Sequence, residues 1–174
     1  REREPNDPQL ERARFSSDKL RLARYMDPAE TRRREIFELC SQAVPYIEVR
    51  KPDGSLGVGS GVLVDHTKGI VLTNYHVVND AEQVLVSFSE GPRQKANMIY
   101  YDESRDLAVM QVPRLPDRIN EVPLGESDNL FVGQYILAIG NQFGQYNCSL
   151  TSGIISGLGR TIATASSKRL TDLI

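Results

Sequence analysis

The chain has 174 residues, with 21 Lys or Arg against 23 Asp or Glu and a formal net charge of −2. That balance leaves no basic footprint for nucleic acid, and no apolar run approaches the roughly 20 residues that a membrane-spanning helix needs. The length suits one core of ordinary size, or one domain with an extension. The chain opens on Arg1 rather than Met and shows no charged-then-apolar leader, so it reads as a processed or trimmed product. Cys40 and Cys148 are isolated in sequence. They read as two buried thiols, with a single disulfide as the alternative.

Residues 1–35 are charge-dense, with ten Lys or Arg and eight Asp or Glu. Leu10, Phe15, Leu20, Leu22, Tyr25 and Met26 are its main apolar residues, which gives an exposed extension or an interaction arm. Asp27-Pro28-Ala29-Glu30 predicts a helix start, because Asp27 can cap the free amides, Pro28 suits the first helical position and Glu30 can reach back. Ile36, Leu39, Cys40 and Ala43 then share one helical face, and Pro45 ends the helix. Beyond Pro45 the texture becomes β-prone. Runs at Tyr46–Val49, Val58–Val64, Ile70–Thr73, Val84–Phe88, Ala96–Tyr101 and Leu107–Val112 are separated by turn residues such as Pro52-Asp53-Gly54 and Glu90-Gly91-Pro92. Six short strands at this spacing predict a small closed barrel, so residues 36–115 form a leading helix and a first barrel. Pro113 to Asn120 reads as a linker. Strand runs around Val122, at Tyr135–Ile139 and at Ser149–Ile155 begin a second barrel over residues 116–174, which is not finished.

Two of these segments carry chemistry. His76, in Thr73-Asn74-Tyr75-His76-Val77-Val78, follows a strand directly. Asp106, in Arg105-Asp106-Leu107-Ala108-Val109, precedes another. A serine hydroxyl is a poor nucleophile near neutral pH. It needs a histidine to take its proton and an acid to fix the tautomer of that histidine. His76 and Asp106 supply those two parts, and no serine in these segments supplies the third. His66, in Asp65-His66-Thr67-Lys68-Gly69, reads as part of a hairpin turn without chemistry. Val58-Gly59-Ser60-Gly61 opens a strand rather than a helix, so it is no phosphate cradle. Its glycines suit a close approach of strands. Cys40, His66, His76 and Cys148 do not have the spacing of a zinc site.

Several segments together resemble the HtrA/Deg family of trypsin-like serine proteases. They are Gly59-Ser60-Gly61-Val62-Leu63-Val64, the run Gly69 to Val78, Asp106-Leu107-Ala108-Val109, Leu124-Gly125-Glu126-Ser127-Asp128, the run Val132 to Asn141 and the run Thr151 to Arg160. The resemblance covers roughly residues 36–174 and none of residues 1–30. It implies an all-β, trypsin-like double β-barrel, the first barrel complete and the second partial, behind an N-terminal helix. It also implies catalytic roles for His76, as general base, and for Asp106, as its orienting acid. The nucleophile of the family lies in a Gly-Asn-Ser-Gly-Gly segment, with the oxyanion-hole amides beside it. By family spacing that serine would follow Thr171-Asp172-Leu173-Ile174 by roughly ten residues or more. Residues 1–174 alone are therefore expected to be inactive. Two departures stand out: Gln142 where the family usually has proline, and Cys148 where a small residue is usual.

The resemblance further implies a serine endopeptidase of protein quality control, acting outside the cytosol on unfolded or misfolded protein substrates and assembled as a homotrimer or higher oligomer. No metal or organic cofactor is needed. The resemblance makes Arg160 a candidate sensor on a regulatory loop, taken here as Thr161 to Lys168, with a solvated cation as the plainer reading. Tyr135 is a candidate at the oligomer interface, with a place in the core as the alternative. A rival from another class is a non-catalytic protease-fold subunit that binds clients or scaffolds an assembly.

Overall fold

The structure is a computed structural model and describes residues 27–141, 148–163 and 169–174. The extension up to Met26, and Gln142, lie outside the described residues. Contacts divide the chain into two compact units, Arg1–Ile36 and Phe37–Ile174. The helix α1, Pro28–Cys40, starts as its sequence predicts. The Ala29 amide donates to Asp27 Oδ1 (2.8 Å), and the Asp27 amide donates to Glu30 Oε2 (3.3 Å). This reciprocal pair satisfies amides that have no partner inside the helix. The expected apolar face is formed only in part, with Ile36 and Cys40 partly buried. Leu39 is 68 % exposed, and Ala43 reaches the core only past the helix end, in a 3-10 turn at Ser41–Ala43. The change of winding there rotates Ala43 away from the stripe that a continuous α-helix would have made.

Seven antiparallel strands follow. They are β1 Tyr46–Arg50, β2 Leu56–Asp65, β3 Ile70–Thr73, β4 Gln83–Ser87, β5 Gln94–Lys95, β6 Asn97–Asp102 and β7 Leu107–Gln111, in the sheet order β5-β4-β1-β2-β3-β7-β6. The two edge strands, β5 and β6, are separated in sequence only by Ala96. One stretch of chain thus borders both edges, and the sheet curls back on itself. The sequence reading placed a single strand at Ala96–Tyr101; the chain there instead leaves β4 and joins β7, with Ala96 buried at the seam and its amide bonded to Val84 O (3.0 Å).

The interior follows from the two-residue period of a strand. Ile47 and Val49 of β1 lie opposite Val86 and Val84 of β4, and Leu63 of β2 faces Val71, which faces Met110 of β7. Six of these seven strand residues are fully buried, and the seventh, Val84, is 7 % exposed. Fully burying such side chains contributes roughly 1.5–3 kcal/mol each before entropy is counted. At Gly59, β2 runs so close to residue 77 that a Cβ would stand 2.6 Å from Val77 Cγ1. Gly59 therefore serves close packing against the segment that carries His76, while Gly61 serves it against Val71 and Leu72 of β3.

The linker region holds one correction. The strand expected around Val122 does not form. The Val122 amide makes a single bond to Leu63 O (3.0 Å), and Pro123 beside it has no amide to extend a ladder. Two ribbons follow: β8 Tyr135–Gly140 paired with β9 Ser149–Ile154, and β10 Arg160–Ala163 paired with β11 Arg169–Leu173. The polar loop expected from Thr161 is thus strand as far as Ala163; Lys168 lies outside the described residues. Thr161 and Ile162 are β-branched, and that preference outweighed the Ser/Thr-rich composition around them. The β8–β9 ribbon is tied to the first barrel. The Asn141 amide donates to Ser60 Oγ (2.7 Å), and the Cys148 thiol donates to Ser41 O and Val44 O (3.5 Å each). Cys40 and Cys148 are free and half-buried, and burial pushes the Cys148 thiol up from its ordinary pKa.

Candidate active site

His76 and Asp106 come together because the strands that lead to them are neighbours. Residue Thr73, the last of β3, pairs with Ala108 of β7. The chain leaving β3 and the chain entering β7 therefore emerge side by side at one end of the barrel. From β3 the chain passes through Asn74 into a one-turn helix, α2, Tyr75–Val78. His76 is its second residue. Its side chain is 72 % exposed, while that of Asp106 is only 18 % exposed.

The geometry is that of an oriented base. His76 Nδ1–H donates to Asp106 Oδ2 (2.7 Å), and the His76 amide donates to Asp106 Oδ1 (2.8 Å). Each carboxylate oxygen therefore grips a different part of the same residue. Asn74 adds a third hold, donating from Nδ2 to Asp106 Oδ2 (3.2 Å) and Asp106 O (3.3 Å). The Tyr75 amide also donates to Asp106 O (3.1 Å). Asp106 reaches these donors with φ +54, a left-handed conformation uncommon outside glycine but better tolerated by Asp and Asn. Strain of this kind persists only where surrounding bonds fix it, and the bonds from Asn74, Tyr75 and His76 do so. Burial alone would raise the Asp106 pKa. The His76 amide and imidazole, with help from Asn74, outweigh it and hold the carboxyl below its ordinary range. An ionised Asp106 can only accept, so Nδ1 carries the proton and Nε2 is left as a lone-pair base facing solvent.

The other candidates lie elsewhere. Arg160 opens β10, and its guanidinium lies over Gly157, where a Cβ would stand 2.5 Å from Nε. Tyr135 opens β8 and is 52 % exposed. His66 is a turn residue whose amide donates to Glu121 Oε2 (2.6 Å). Asn74 is the functional residue that sequence reasoning passed over. Its signal was its place between a strand and a helix, where Asn ordinarily caps. Here its side chain makes no cap bond and is turned to Asp106 instead.

A curled, half-barrel antiparallel sheet presenting a carboxylate-held histidine at one end is the arrangement of the trypsin-like peptidases. The chain belongs to that family: residues 59–173 match the trypsin-like peptidase domain. Within the family it is similar to HtrA and Deg proteases. It is 41 % identical over 110 residues to a probable periplasmic serine protease do/HhoA-like of Haemophilus influenzae, covering 63 % of this chain and 23 % of that protein. It is 39 % identical over 105 residues to the periplasmic pH-dependent serine endoprotease DegQ of Escherichia coli, covering 60 % and 23 %. Among solved structures, the HtrA-type protease AlgW with tripeptide superposes with a TM-score of 0.66 at 32 % identity, over 74 % of this chain and 40 % of that one. The matches thus span about a quarter of the length of these curated relatives.

Proposed function

We propose that this chain is the His–Asp half of a serine endopeptidase. The observation that carries the reading is the 2.7 Å bond from His76 Nδ1 to Asp106 Oδ2, which leaves Nε2 free as a base. His76 takes the proton of a serine hydroxyl as that oxygen attacks the scissile carbonyl. It then gives the proton to the leaving amine, and a water activated by the same nitrogen hydrolyses the acyl-enzyme. Asp106 stays ionised throughout and stabilises the imidazolium. The serine is assigned to a Gly-Asn-Ser-Gly-Gly segment, which residues 1–174 do not contain.

The substrates proposed are unfolded or damaged proteins, and the location is outside the cytosol. Support comes from the relatives described as periplasmic serine endoproteases. The intact protein is expected to hydrolyse unfolded casein, and residues 1–174 alone are not. Casein untouched by the intact protein would favour the non-catalytic subunit instead.

The assembly proposed is a homotrimer with Tyr135 at the subunit contact. Its half-exposed ring, beside exposed Phe131, Val132 and Ile154, supports this, since tyrosine suits an interface through its large rigid area and polar tip. Light scattering should give three times the protomer mass, and a monomer at micromolar concentration contradicts it. Arg160 is proposed as a regulatory residue, because it is exposed and takes no part in the hydrogen bonds between His76 and Asp106. Its role is read from turnover of Arg160→Ala at saturating substrate.

A further inference from the structure

We infer that Tyr101 is a positioning residue for His76, acting through a ring stack on Tyr75; this rests on the reading of His76 as the base. The helix that carries His76 is too short to hold itself. α2 has four residues, with bonds from Val77 N to Asn74 O (3.2 Å) and from Asn79 N to Tyr75 O (2.8 Å). Nucleating a helical turn is unfavourable in isolation. The His76 ring, largely exposed, has little packing of its own to define it. Its position is therefore set by its bond to Asp106 and by the residues beside it.

Tyr75 is the neighbour best placed to do this. Its amide is bonded to Asp106 O, and its ring packs against the barrel core. On its other side lies Tyr101 of β6, with ring centroids 4.8 Å apart and planes within 15° of parallel. The register explains why Tyr101 is there. Tyr101 pairs with Ala108, and Ala108 pairs with Thr73, which makes one row across three strands. Directly opposed residues share a face, and Ala108 and Thr73 point into the barrel. Tyr101, half-exposed at the β6 end of that row, stacks on Tyr75. The row ends on the two segments that matter, since Thr73 leads to His76 and Ala108 follows Asp106.

Tyr101 is itself half-exposed and, with Tyr75, borders an open groove of about 440 Å³. Replacing it removes the stack without opening a cavity in the core. A positioning role can thus be separated from a folding role.

The test is steady-state kinetics and imidazole N–H NMR on the intact protein and on Tyr101→Ala and Tyr101→Phe. Stacks of this type make a difference of about two- to tenfold in an equilibrium. Tyr101→Ala should lower kcat by that factor with KM nearly unchanged, and it should weaken the signal of the Nδ1 proton held by Asp106. Tyr101→Phe, which keeps the stack, should restore both. The inference is overturned if Tyr101→Ala matches the wild type, if the loss lies in KM alone, or if Tyr101→Phe behaves like Tyr101→Ala. Should Tyr101→Ala fail to fold, Tyr101→Leu keeps the bulk without the ring and should show the same fall in kcat; a wild-type kcat in that variant overturns the inference. If the wild type hydrolyses nothing, the proposed function falls on its own. The Nδ1 proton signal still decides the positioning role, since an unchanged signal in Tyr101→Ala overturns it.

Discussion

His76→Ala in the intact protein should lower turnover on casein by about 10⁴–10⁶, as triad deletions do. The size follows from what the imidazole supplies. A serine hydroxyl loses its only proton acceptor, and the leaving amine loses its acid. The fold should survive, because the side chain is 72 % exposed and packs little. The melting temperature should therefore stay within a few degrees while activity collapses. His66→Ala is the matched control. His66 is the other histidine of the chain, and its amide, not its ring, makes the bond to Glu121 Oε2. It should retain full turnover. A His76→Ala protein with wild-type kcat would end the assignment.

Asp106→Asn should lower turnover by about 10⁴, the size known for this change in trypsin-type triads. The substitution is nearly isosteric, and Asn tolerates the left-handed backbone that Asp106 adopts at φ +54. The geometry should thus persist while the chemistry fails. An amide group can turn its NH₂ toward Nδ1, which favours the wrong tautomer and removes the free lone pair from Nε2. A second consequence concerns acid. The Asp106 pKa is lowered in the folded chain, so its ionisation contributes stability that is fully present above the ordinary carboxylate pKa. That contribution is lost as pH falls through the folded value. Urea unfolding at pH 7 and below about pH 4 should show a steeper acid loss in the wild type than in Asp106→Asn. Equal slopes would mean that the ionisation of Asp106 adds nothing to the fold.

How much of this could be read from residues alone varies from element to element. The capping pair at Asp27 and Glu30 was legible because it is local: four residues determine it. The barrel strands were legible because the period of two recurs with turn residues between them. The seam at Ala96 was not, since nothing local marks where one strand changes partners; only the curl of the whole sheet decides it. The exposure of Leu39 was hidden for a related reason. Its helical stripe is real in sequence, but the chain changes winding at Ser41 before Ala43 can share the face. The strand at Arg160–Ala163 was obscured by Ser/Thr-rich composition, which resembles a loop. His76 and Asp106 were legible as a pair because each sits at the end of a strand run. Their supporting cast was less so. Asn74 and Tyr101 carry no chemical signal of their own in sequence; the row Thr73–Ala108–Tyr101 exists only through strand pairing.

The role proposed for His76 and Asp106 is to activate a serine that residues 1–174 do not contain. The direct measurement is labelling of the intact protein with a fluorophosphonate probe, followed by mass mapping of the modified residue, in the wild type and in His76→Ala. One labelled serine is expected, in a Gly-Asn-Ser-Gly-Gly segment outside these residues, with labelling abolished in His76→Ala. A label on a serine within residues 1–174, or labelling that does not depend on His76, would contradict it.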